Sequence, residues 1–106
     1  MTTESQQEVL RAKVNLETAS IPWKELQRYF ASGVAIWVCA DLDLVEVAFQ
    51  ISEDNGKLIS TWLSESKIST VSDEQAAAWH AADADMWAVV VSPYVLIQEK
   101  NYVLHS

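Results

Sequence analysis

The stretch VSDEQAAAWHAADADMW, from Val71 to Trp87, sets His80 three residues before Asp83 and five before Asp85. An imidazole with carboxylates close by is the raw material of a metal site or of a general acid and base. A metal of that kind needs three or four ligands, yet the other imidazole is His105, near the end of the chain, and the single thiol is Cys39, inside the apolar run VAIWVC. The spacing His80-x-x-Asp83-x-Asp85 matches no established ligand pattern, and Asp83-x-Asp85 lacks the glycine and the later glutamate of a calcium loop. Covalent chemistry has no better footing. No serine stands in a Gly-x-Ser-x-Gly setting, and Cys39 has no basic neighbour in sequence to favour a thiolate. No catalytic, cofactor-binding or metal-ligating residue is therefore assigned. An enzyme would have to be a small hydrolase or metal-dependent enzyme whose carboxylates, drawn from Asp41, Asp43, Glu46, Asp83 and Asp85, converge only in the fold.

The same stretch has a plainer explanation. Ser72-Asp73-Glu74-Gln75 is a capping box of the Ser-x-x-Gln form, with two acids in the first turn where the helix dipole favours negative charge. The spacing predicts a helix from about Asp73, with Ala76, Trp79 and Ala82 on one face. His80 then lies near the helix C-terminus, where the dipole and Asp83 at i+3 provide for it without any catalytic purpose.

Other elements follow from similar punctuation. Good helix formers from Glu4 to Glu17 predict a first helix after about five frayed residues. SIPWKELQRYFASG predicts a second, with Ser20 as cap, Pro22 in the first turn, Trp23, Leu26 and Phe30 on a buried stripe, and Gly33 in the left-handed position after the end. VAIWVC suits a strand covered on both faces, at about 34–39. Residues 43–65 fit two templates. Val45, Val47, Phe49 and Ile51 alternate as in a strand, with Asn55-Gly56 as hairpin turn, whereas Asp43 and Glu46 form an Asp-x-x-Glu box ahead of a Leu44, Val47, Ala48, Ile51 helical stripe. We read helices at about 43–53 and 55–65. MWAVVVSPYVLIQE is too β-branched for a helix and too short for a bilayer span, so strands are expected at about 86–91 and 94–99, with Ser92 and Pro93 opening a type I turn. A short strand at about 68–71 completes an α+β domain: three to four strands packed with about five helices, one domain over residues 1–106.

Composition narrows the function classes. Residues 1–40 carry four acids and four bases, so the net charge of −8 arises wholly in residues 41–106. Such a field repels phosphate backbones and anionic lipid, which argues against nucleic-acid and membrane-surface partners. Only two glycines are present, and neither belongs to a phosphate-cradling loop. No apolar run reaches bilayer length, no export signal opens the chain, and one cysteine permits no internal disulfide, so a cytoplasmic protein is expected.

ETASIPWKEL at 17–26, DLVEVA at 43–48, SDEQAAAW at 72–79 and above all WAVVVSPYVLIQE at 87–99 resemble a family of small bacterial proteins known only as a domain of unknown function. The resemblance spans nearly the whole chain beyond the first eight residues. It implies a bacterial, cytosolic, single-domain protein and carries no established activity. Tryptophan is usual in that family where this chain has Tyr94.

Five tryptophans in a domain this small exceed what a core can bury completely, so one or two should reach a contact surface, Trp87 or Trp23 at element starts. Both faces of the strand Met86 to Val91 are apolar, and helices on one face only would leave a large patch for self-association. The expectation is a non-enzymatic, self-associating protein-interaction module, a homo-oligomer with no cofactor, meeting partners through Trp23, Trp87, Val89, Val91, Tyr94 and Ile97.

Overall fold

Pro22 decides where the first described helix begins. Its φ of −63° and ψ of 143° keep it extended, so the helix starts one residue later. The computed structural model describes residues 18–100; the helix expected over Glu4 to Glu17, the frayed residues 1–5 and His105 lie outside the described residues. Within them the order is β1 Ala19–Pro22, α1 Trp23–Ala31, β2 Ala35–Val38, α2 Leu44–Ser52, α3 Gly56–Ser64, β3 Ile68–Thr70, α4 Asp73–Ala82, β4 Asp85–Val91 and β5 Tyr94–Glu99.

β1 corrects the sequence reading. Ser20 is not a cap but a strand residue paired with Trp87, in an antiparallel ladder that runs from Ala19 opposite Ala88 to Pro22 opposite Asp85. Proline is tolerated there because β1 is an edge strand. No side chain caps α1. The backbone N–H of Trp23 donates to the carbonyl of Ala84 at 2.8 Å instead, so a contact from the α4–β4 junction takes the place of the local cap.

The remaining helix starts follow their residues. Asp43 accepts from the N–H groups of Val45 and Glu46, and Asn55 accepts from Leu58, which settles residues 43–65 as two helices and makes Asn55-Gly56 a helix start. Ser72 and Gln75 form the reciprocal box, each bond 3.0 Å long. At the other ends, Gly33 takes φ +79° after α1 and Asp83 takes φ +51° after α4, the left-handed positions that glycine and aspartate tolerate better than most.

The sheet has five strands in the order β1-β4-β5-β2-β3, antiparallel throughout except for the parallel pair β2 and β5. The class is α+β, with one strand more than expected. β4 and β5 form a hairpin that pairs Val91 with Tyr94 across a two-residue connection. The Ser92-Pro93 peptide is cis, and Pro93 sits third in the turn, not second as the type I expectation has it.

Helices cover both faces, which removes the premise of one bare sheet face. Met86, Ala88, Val95, Ile97 and Ala35 pack with Trp23 and Leu26 of α1 and Trp79 of α4. On the other face Val89, Leu96, Val38 and Ile68 pack with Leu44, Val47 and Ala48 of α2 and Trp62 of α3. Each fully buried side chain of this size contributes about 1.5–3 kcal/mol. Two layers of such residues, one on each side of β5, make the strand's Val95-Leu96-Ile97 the centre of the domain.

Candidate functional site

Several residues expected on a contact surface are in the core. Trp23 is 1% exposed; its ring meets Trp79 edge-on at 5.1 Å and Phe30 at 5.9 Å. Because α1 starts at Trp23 and lies against the sheet, its first side chain points inward. Val89 and Ile97 are fully buried, one under each pair of helices. Trp87 and Tyr94 do reach solvent, each 41% exposed, and Val91 is half-buried. Composition alone could not separate Trp87 from Trp23, because the sign of exposure depends on which sheet face each indole meets.

The residues suspected of chemistry are dispersed. His80 is exposed, with the Gln27 amide nitrogen 3.3 Å from its Nδ1. Asp83 turns to Lys24 at 3.6 Å, so the His80–Asp83 pair expected at i+3 does not form. The left-handed backbone at Asp83 carries its carboxylate off the helix surface where such a pair would sit. Asp41 faces Lys67 at 3.9 Å, Asp43 caps α2, and Glu46 accepts from Gln50 at 2.7 Å. No three histidine, cysteine, aspartate or glutamate residues among the described residues group closely enough to hold a metal ion. No helix among the described residues is long and apolar enough to cross a membrane.

At the end of the sheet where β5 finishes, polar side chains close the structure. Glu99 accepts the indole N–H of Trp79 at 3.2 Å on one oxygen and that of Trp37 at 3.3 Å on the other. Gln98 donates to the carbonyls of Cys39 and Leu42 at 2.9 and 2.7 Å, pinning the β2–α2 loop. Lys100 lies 4.4 Å from the centre of the Trp87 ring and also bonds Ser20, joining the edge strand to its neighbours. These contacts are mutual and leave a cavity of only about 230 Å³ beside Trp87.

A roomier cavity, about 550 Å³, opens at the opposite end, between the α2–α3 connection and the β4–β5 hairpin. Ile36, Ile68 and Val91 of the sheet form its floor, with Ile51 of α2 and Ile59 and Leu63 of α3 above them; Tyr94, Ser52, Asp54, Gly56, Ser69, Thr70 and Ser92 complete the lining. Its volume falls in the range of small-molecule and side-chain pockets. Leu63, 53% exposed, and Tyr94 stand at the mouth, and Val90, 52% exposed, lies on the other side of the same hairpin. The cavity lies where α2 ends at Ser52 and α3 begins at Gly56, beside the last residue of β3 and the hairpin. Sequence reasoning picked out Val91 and Tyr94 but missed Leu63 and Val90; an isolated apolar residue at a helix end or strand end gives no sign of which way it faces.

Two of the serine hydroxyls of the lining residues are engaged by backbone. Ser52 donates to the carbonyl of Phe49 at 2.7 Å and Ser69 to that of Thr70 at 3.1 Å. Asp54 is the one charged side chain in the lining, which includes no histidine, lysine or arginine. What the geometry offers is an apolar recess with a single carboxylate at its rim, a shape for binding.

A family model described as a protein of unknown function, DUF2288, matches residues 9–99. The NMR solution structure of PA1075 from Pseudomonas aeruginosa is similar to this chain at 43% sequence identity over 92% of each chain, with a TM-score of 0.79. No curated protein matches.

Proposed function

Because the chain belongs to the DUF2288 family of proteins of unknown function, its role has to be read from its own surface, and we propose that it is a non-enzymatic, self-associating protein-interaction module of the bacterial cytosol. The observation that carries this reading is the exposure of large apolar side chains about the β4–β5 hairpin, with Leu63 and Tyr94 at the mouth of the recess and Val90 on the hairpin's opposite face. Large apolar side chains scattered singly are ordinary, whereas Leu63 and Tyr94 beside an open apolar recess form the anchor-and-pocket arrangement of interaction hot spots. Tyrosine suits such a role because its ring supplies area and its hydroxyl keeps a bond to water or partner. The similarity to a Pseudomonas protein supports the bacterial setting, and a half-buried free thiol at Cys39 suits a reducing compartment.

In this reading two copies meet hairpin to hairpin in a closed, twofold contact, each covering the other's Val90 and Tyr94. The mass of the protein in solution at low micromolar concentration tests it. A homodimer or larger closed oligomer is expected, and the Val90→Lys, Tyr94→Lys double variant should run as a folded monomer. A wild type that is monomeric at that concentration would overturn self-association.

A further inference from the structure

We infer that the cavity between the α2–α3 connection and the β4–β5 hairpin is a binding site for a small amphiphile with an unbranched apolar body and a positively charged, hydrogen-bond-donating head. This goes beyond self-association through the hairpin, although Tyr94 borders both surfaces. The body is specified by the walls: Ile59 and Leu63 above and the isoleucine-rich sheet floor below enclose about 550 Å³, enough for a short alkyl chain.

The head is specified by the rim, where two independent observations agree. Asp54 is the only charged side chain of the lining, and the chain carries a net charge of −8. Beside it, Ser52 has committed its hydroxyl proton to the carbonyl of Phe49 and so presents only oxygen lone pairs to an occupant, while Ser69, paired with Trp37, turns its side chain to the other face of the sheet. A rim with one carboxylate and no basic side chain favours an ammonium over a carboxylate, sulfate or phosphate. Asp54 has φ +58° in the α2–α3 connection, a conformation that holds its side chain on a tight turn beside the first residues of α3.

The probes are octylammonium, octan-1-ol and octanoate, equal in apolar length and different in charge, titrated below micelle formation into the isotopically labelled protein and followed by backbone amide shifts. The expected order of affinity is octylammonium over octanol over octanoate, with shifts confined to α3, the Ile68–Thr70 strand and the hairpin. The first step in that order should be about three- to fivefold, the size an exposed ion pair gives. Asp54→Asn keeps a residue that tolerates the left-handed backbone and should bring octylammonium close to octanol, while Leu63→Ser, at an exposed site, should weaken all three alike. Octanoate binding as tightly as octylammonium would overturn the charge assignment. Shifts centred on Trp87, or none from any probe at millimolar concentration in a folded protein, would overturn the site. Solution mass measured alongside keeps the two readings apart, since a monomer can bind octylammonium and an oligomer can fail to.

Discussion

Trp79 of α4 donates its indole N–H to Glu99, the last residue of β5, at 3.2 Å. Trp37 of β2 takes the other carboxylate oxygen at 3.3 Å, so a single side chain ties two indoles from a helix and a strand to the end of the central strand. Replacing Glu99 by Gln leaves one acceptor oxygen and turns an amide N–H toward the second indole. Glu99→Gln should therefore lower stability by about 1–2 kcal/mol with the fold intact. Thermal or urea unfolding of the two proteins checks this, and an unchanged midpoint would show that the indoles are equally well served by water.

Ser72→Ala removes one half of the reciprocal box at the start of α4 and should cost about 1 kcal/mol. The loss is local to a helix that carries Trp79 into the core, so it should appear as a lower melting temperature with no change of solution mass. A melting curve that does not move would mean that α4 is held by tertiary contacts alone.

Gln98→Ala should loosen the β2–α2 loop. Its amide donates to the carbonyls of both Cys39 and Leu42, and the substitution leaves those acceptors to water, at a cost of about 1–3 kcal/mol. The sensitive readout is the thiol: the half-buried Cys39 should react with a disulfide reagent several times faster, about tenfold for each 1.4 kcal/mol by which loop opening becomes easier. Labelling at the wild-type rate would show that the loop is held by other means.

Ile97→Lys and Val91→Lys separate core from surface. Ile97 is fully buried between β4 and β2, and a lysine there has no partner and no route to solvent, so the variant should unfold, losing at least about 4 kcal/mol. Val91 is half-buried at the cavity, where a lysine stem can lie along the apolar wall with its ammonium in water, so that variant should remain folded. Circular dichroism of both proteins decides the matter, and a folded Ile97→Lys would contradict the layer assignment.

The elements most legible in the sequence were those with local causes. The Ser72 box, the Asp43 cap and the glycine after α1 depend on side chains reaching their own or adjacent turns, and each appears where the spacing places it. β1 was not legible, because ASIP has no alternation to read and becomes a strand only by pairing with β4. Trp23 was misplaced for the same reason: its burial depends on Trp79, more than fifty residues away in the chain, and on α1 lying against the sheet. The recess near Tyr94 was half legible. Its aromatic and its valine stand in a memorable motif, whereas its walls come from Ile36, Ile59 and Ile68, which converge only when α3 returns over β3.

The parallel pairing of β2 with β5 has a consequence for how this protein is made. β5 is the last strand among the described residues, yet it lies between β4 and β2 at the middle of the sheet. Without Val95 to Ile97, β2 with β3 and β1 with β4 are two separate ribbons that share no strand pairing, and the edges of β2 and β4 that flank β5 are left open. Such a nascent chain waits for its keystone, and closing the sheet joins residues about sixty positions apart, a slow and long-range step. A stalled or truncated product ending near Pro93 would thus carry two unjoined half-sheets, each with an unpaired strand edge on which another chain could add.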